Sequence, residues 1–219
     1  MVRIIPLALL LSMLSACVIH VGPGSYRSPN SGEDSVFGDI EVASGQTVGD
    51  VDTVNGDIQI GHGATVANVS SVNGDIELSD NVSSQRISTV NGDIDGGKQL
   101  RVLASIDTVN GDLTLDGKSK VNGDITSVNG DVTLRTVTVA GNISNVNGDV
   151  SIYANSVITG DIVFKSNEDN SALRNERPTL VIDADVVVQG QIILQRPVEL
   201  HLSNSDHLLK VEHQYQSLQ

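Results

Sequence analysis

A chain of 219 residues with 2% aromatics and no Trp cannot fill a thick globular core, so a thin interior of branched aliphatics is expected. The formal charge of −14 sets the surface against phosphate polyanions. That excludes nucleic acid, phosphate-rich coenzymes and a bare anionic membrane face as natural partners, and leaves cations, basic proteins and neutral glycans. Gly, Ser and Asp abound, yet 39% of the residues are hydrophobic and recur in a strict period, which sets most of the chain apart from disordered sequences.

Residues 1–16 read as an export signal, with Arg3 as the positive start and an apolar run over 4–14 that is too short to span a bilayer as a helix. The sequence Leu14-Ser15-Ala16-Cys17 resembles a bacterial lipobox, which implies cleavage before Cys17 and acylation of that residue, a lipid anchor in the membrane. Cys17 is the single Cys, so no intramolecular disulfide can form. Val18 rather than Asp follows it, and by resemblance to enteric-type sorting this implies the outer membrane. Residues 17–35, rich in Gly, Pro and Ser, read as the anchor and a flexible tether.

Beyond the tether the tetrapeptide Val-Asn-Gly-Asp occurs seven times, starting at Val54, Val72, Val90, Val109, Val121, Val128 and Val146. With the Val121 copy set aside, the steps are 18, 18, 19, 19 and 18 residues. Such spacing belongs to a stacked solenoid. A finer period of six runs through Val36, Val42, Val48, Val54, Ile60, Val66, Val72, Leu78 and Val90, and resumes through Leu103, Val109, Leu115 and Val121 after one extra residue between Ile94 and Leu103. A further shift precedes Val128, after which Leu134, Ala140, Val146, Ile152, Ile158 and Phe164 carry it on. Small or apolar residues two places earlier, Ile58, Ala64, Ser70, Ile76 and Val82, accompany it.

Six is a multiple of the strand period and not of 3.6, so the expected fold is all-β: a triangular, single-stranded parallel β-helix over 36–202, about 18 residues per rung. Rungs about 4.8 Å apart would make a rod about 40 Å long. The hexad itself resembles left-handed hexapeptide-repeat proteins, while the crossover preference favours the right hand. Asn-Gly suits the corners, because Gly accepts positive φ and Asn tolerates it. A meander of antiparallel hairpins is the rival use of Asn-Gly. Val51, Val69, Ile87, Ile106, Ile125, Ile143 and Ile162 should stack as a further inward column.

Residues 165–178 interrupt the pattern without changing its phase, as a loop leaving one corner would, since Phe164 and Ile182 stand 18 apart. Residues 203–219 lose the pattern and read as a cap over the open end or a disordered tail.

The corner triplets Asn55-Gly56-Asp57, Asn73-Gly74-Asp75, Asn91-Gly92-Asp93, Asn110-Gly111-Asp112, Asn129-Gly130-Asp131 and Asn147-Gly148-Asp149 should align as ladders. Carboxylates about 4.8 Å apart repel by about 0.9 kcal/mol even in water. Calcium between rungs would relieve this. The favoured reading is structural, with each Asp accepting backbone hydrogen bonds at its own corner and with no cofactor or metal. His62 lies alone between glycines, and His201, His207 and His213 crowd the C-terminal end, where a surface role or a weak metal contact fits equally. No catalytic residue is assigned: Ser-His-Asp order, zinc spacing and phosphate loops are all absent, and a hexapeptide-type acyltransferase is the remote enzyme alternative.

The Val-Asn-Gly-Asp repeats, with Gly49-Asp50-Val51, Gly123-Asp124-Ile125 and Gly160-Asp161-Ile162, resemble the bacterial adhesin-type β-helix families whose repeats read Gly-Asp-Ile, over about 37–202. The resemblance implies a right-handed β-helix in a non-catalytic envelope protein that binds an envelope protein or glycan. Bactofilins, which polymerise and are similar in rung length, imply a self-assembling scaffold instead.

Overall fold

The computed structural model describes residues 32–166 and 177–215. The signal segment, Cys17, all but the last few residues of the tether and most of the 165–178 loop lie outside the described residues. The described chain winds through three parallel sheets, one of ten strands, one of nine and one of six. A typical rung takes Arg86–Asn91 in the ten-stranded sheet, Ile94–Gly96 in the nine-stranded sheet and Arg101–Val102 in the six-stranded sheet. Every pairing is parallel. The antiparallel meander is thereby excluded, and the molecule is a β-helix.

Before the 165–178 loop the register steps by 18 or 19 residues. Val51 lies beside Val69, Val69 beside Ile87, Ile87 beside Ile106 and Ile106 beside Ile125. This column is fully buried, as the Val/Ile spacing leads one to expect. Stacked branched aliphatics suit strands because the pleat holds their side chains directly above one another.

The period-six comb holds on two faces and fails on the third. Ile60, Leu78, Leu115, Leu134 and Ile152 on the nine-stranded sheet, and Val66, Val121 and Ile158 towards the six-stranded one, are buried. On the ten-stranded sheet the Val that opens each tetrapeptide faces outward. Val72 and Val90 are exposed, and Val54, Val109, Val128 and Val146 are only partly buried. The strand Val51–Asn55 shows why: Val51 and Thr53 point in, so parity sends Asp52 and Val54 out.

The inward places between Val and Val belong instead to Thr53, Ser71, Thr89, Thr108, Ser127 and Asn145, all buried. Each donates to the carbonyl of a corner glycine, from Thr53 to Gly38 at 3.5 Å to Ser127 to Gly130 at 3.0 Å. Ser70 faces outward for the same reason of parity and donates to Asp52.

Changes of a single residue fall at the other two corners. The extra residue after Ile94 is taken up beyond Val102, which is buried, while Leu103 is 54% exposed at the bend. One residue is lost between Leu134 and Val139, so Val139 is inward and Ala140 is exposed. Gly96 stands where neighbouring rungs carry Leu78 and Leu115, and the side chains of Leu100 and Leu115 occupy the space its Cβ would take.

The two ends differ from the expected limits. Pairing begins at Glu33, which lies beside Val51. At the far end Ser205–Lys210 forms a 3-10 helix, and Val211–His213 adds a tenth strand beside Ile192–Leu194. The helix lies against the last strand of the six-stranded sheet: buried His207 reaches the Val186 carbonyl, Lys210 donates to that of Gln189, and Leu208 and Leu209 face solvent.

Candidate functional site

The most regular outward feature is the corner between the ten- and nine-stranded sheets, where all six Asn-Gly-Asp triplets align. Gly56, Gly74, Gly92 and Gly111 have φ near +150°, and a Cβ on any of them would run into the carbonyl of the glycine one rung below. Glycine is therefore required by close backbone approach as well as by φ. The seventh tetrapeptide serves a different corner. Val121 is buried on the six-stranded sheet and its Gly123-Asp124 turn opens the ten-stranded strand, in line with Gly160-Asp161.

Asn73 donates from Nδ2 to Oδ1 of Asn55 at 3.0 Å, and Asn91, Asn110, Asn129 and Asn147 repeat the bond one rung at a time at 2.8–2.9 Å. The chain of amides runs one way and ends at Asn147. There Nη1 of Arg196 donates to Asn147 Oδ1 and to the Val146 carbonyl, both at 2.7 Å. Burial pulls the Arg196 guanidinium below its ordinary pKa. Arg196 is fifty positions from Val146 in sequence, so no local motif marks it.

The Asp row forms a second ladder, with a correction to its expected form. Each carboxylate accepts from the backbone of the next rung and not of its own corner: the Asp57 N–H donates to Asp39, Asp75 to Asp57, Asp93 to Asp75, Asp112 to Asp93, Asp131 to Asp112 and Asp149 to Asp131, at 2.8–2.9 Å. Thr179 closes the row by donating to Asp149 at 2.7 Å. The shared hydrogen bond ties each carboxylate to the rung above it and calls for no metal. A shorter ladder of the same kind, Asp124 to Asn142 to Asp161 to Gln191, follows the corner before the ten-stranded sheet. The Gly-Asp-Ile motif is its sequence signal.

Acids also crowd the adjoining nine-stranded face, where Glu41, Gln59, Glu77 and Asp95 form one outward column. The Asp95 carboxyl is pushed up, first by lost hydration and then by Asp93, Asp75, Glu77 and Asp112. Asp52 on the ten-stranded face is also pushed up, by burial first, against the hydrogen bond from Ser70.

The loop stands at this same corner. Phe164 pairs with Leu194 and Ile152 with Ile182, each 30 positions on, so this rung is eleven residues longer than the 19-residue rung before it. The 18 residues from Phe164 to Ile182 cross from one sheet to another and are not a rung. Residues 165–178 thus replace the corner Val-Asn-Gly, and Thr179 takes the place of its Asp.

Among the described residues the histidines do not converge. His62 sits at the corner between the nine- and six-stranded sheets and lines shallow grooves with Glu77 and Ser79. His201 meets Glu199 at 2.9 Å, His207 is buried, and His213 packs edge-on to Tyr215 at 5.6 Å. Among the described residues no group of three or more His, Cys, Asp or Glu is placed to hold a metal ion.

Compared with protein families, with curated proteins and with solved structures, the chain shows no match.

Proposed function

We propose that the chain is a lipoprotein of the outer membrane, held by acylated Cys17, that presents a rigid acidic β-helix as a non-catalytic binding or structural element of the envelope. The observation that carries this reading is the outward face of the first corner: the same carboxylate and amide repeat rung after rung in fixed register. A repeated edge suits contact along its length, whereas catalysis needs a few unlike groups converging on one reacting atom. The rung with the 165–178 loop interrupts that edge and is the natural place for a specific contact.

The polymer alternative requires sheets to stack end to end. The helix Ser205–Lys210 lies where a further strand of the six-stranded sheet would be, so head-to-tail stacking would have to displace it.

Two measurements test the proposal. Palmitate labelling and outer-membrane fractionation should both be lost in Cys17→Ser; labelling that persists defeats the anchor. The rod, immobilised and exposed to envelope extract, should retain a protein or glycan that a variant with 165–178 replaced by Val-Asn-Gly does not retain. Equal capture by both moves the contact away from the loop.

A further inference from the structure

The cations of this acidic chain are concentrated on one side. Of the ten Lys and Arg among the described residues, five fall on three consecutive rungs: Arg101 and Lys120 on the six-stranded sheet, Lys98 and Lys118 in the turn that leads into it, and Arg135 at the end of a strand of the nine-stranded sheet. Arg101 and Lys120 stand directly beside each other in register, flanked by Ser83 and Thr138. Arg135 lies over the Tyr153 ring at 4.7 Å. Among the described residues none of the five takes part in an ion pair. Like charges stacked on adjacent strands oppose folding; Lys98 shares a groove with Asp80, Asp95 and Asp116, whereas among the described residues no acid pairs with Arg101 or Lys120.

Charge of the opposite sign lies across the same rungs. In a three-sided rung the corner between the ten- and nine-stranded sheets faces away from the six-stranded sheet. That corner carries Asp75, Asp93 and Asp112, with Glu77 and Asp95 beside it. The rung that supplies Asp93 and Asp95 also supplies Lys98 and Arg101, and the rung of Asp112 supplies Lys118 and Lys120. The Asp corner and the Arg101–Lys120 pair therefore sit at one height on opposite sides of the rod, with Glu77, Asp95 and Lys98 along the nine-stranded face between them.

We infer that the cationic face docks the acidic edge of a second copy of this chain, side by side and in register. Spacing, not net charge, selects the copy over other anionic partners: an extended polyanion, an anionic bilayer and the copy all meet the field of a chain with formal charge −14. A second β-helix presents carboxylates at the same inter-rung spacing as the cations, so each rung meets its counterpart. Because the two complementary surfaces lie on opposite sides of one molecule, the contact is head-to-tail around the rod and propagates into rows. Both copies point the same way, as rods anchored at their N-termini do; that common orientation rests on the membrane reading above, while the contact does not.

The test is sedimentation of the full chain, as wild type and as Cys17→Ser, across a range of concentrations. Association is expected at ~10 mM salt, where the Debye length is about 30 Å, and is lost at ~1 M, where it is about 3 Å. R101E/K120E and E77K/D95K should each remain monomeric, and an equimolar mixture should associate again, since each supplies the sign the other lacks. A purely structural role for these charges gives no such rescue. The inference is overturned by a monomer at every concentration in low salt, by association that survives R101E/K120E, or by a mixture of two folded variants that stays monomeric. It is equally overturned if wild type stays monomeric but binds anionic vesicles and R101E/K120E does not, which assigns the face to lipid. Association by Cys17→Ser upholds the contact whatever becomes of the anchor.

Discussion

At the scale of the residue, space at a corner decides what a substitution costs. A methyl on Gly92 meets the carbonyl of Gly74, whereas one on Gly45, also at positive φ, meets nothing within 4 Å. Gly92→Ala should therefore destabilise by about 2–4 kcal/mol through backbone strain and forced rung separation. Gly45→Ala should cost only about 1 kcal/mol for its conformation. Chemical denaturation of both variants checks the order, and equal losses would show that φ alone sets the requirement. Asn145 offers the opposite case. It is fully buried, its Nδ2 donates to Gly130, and its Oδ1 has no partner. Gly130 keeps the Ser127 hydroxyl, and the next rungs carry Phe164 and Leu194 in that column. Asn145→Leu should stabilise by about 1 kcal/mol, read as a higher denaturation midpoint with an unchanged slope.

At the scale of the element, Arg196 is the joint between an interrupted rung and the ladder below it. Arg196→Ala removes donors from Val146 and Asn147, so a loss of about 1–3 kcal/mol is expected. Hydrogen exchange should accelerate first at 146–149 and 179–182; uniform acceleration would mean that Arg196 is no local cap. The rungs themselves were legible in the sequence because an identical tetrapeptide at a fixed interval leaves little choice of fold. Which Val faces inward was not. In Val-Asp-Thr-Val hydrophobicity favours burying both valines, but strand parity allows only Val51 and Thr53 inside, and the hydroxyl is accommodated by a glycine carbonyl from the corner. Arg196 was hidden for a related reason, since its partners come from a rung that is distant in sequence.

At the scale of the whole molecule, the acidic surface carries a cost that pH should reveal. Asp52 and Asp95 have carboxyls pushed up in the fold. Their ionised forms therefore weaken the folded state near neutrality. That loss is relieved as pH falls through the raised values towards about 4, the range of an unperturbed carboxylate. The D52N/D95N variant should melt higher than wild type at pH 7, with the gap closing towards pH of about 4. A gap independent of pH would assign the effect to packing. Millimolar calcium or a chelator should leave the melting temperature unmoved, because each ladder carboxylate is already held by the next rung's amide. A calcium-dependent rise would place an ion in the row.

The amide row also has an electrical direction. Every Nδ2 points towards the N-terminal end and every Oδ1 towards the C-terminal end, so the aligned side-chain dipoles add as peptide dipoles do in an α-helix. The negative pole of that row emerges at Asn147, beside the loop corner, and the guanidinium of Arg196 sits on it. A cationic ligand approaching there has a resident competitor, and an anionic one has a counter-charge already in place.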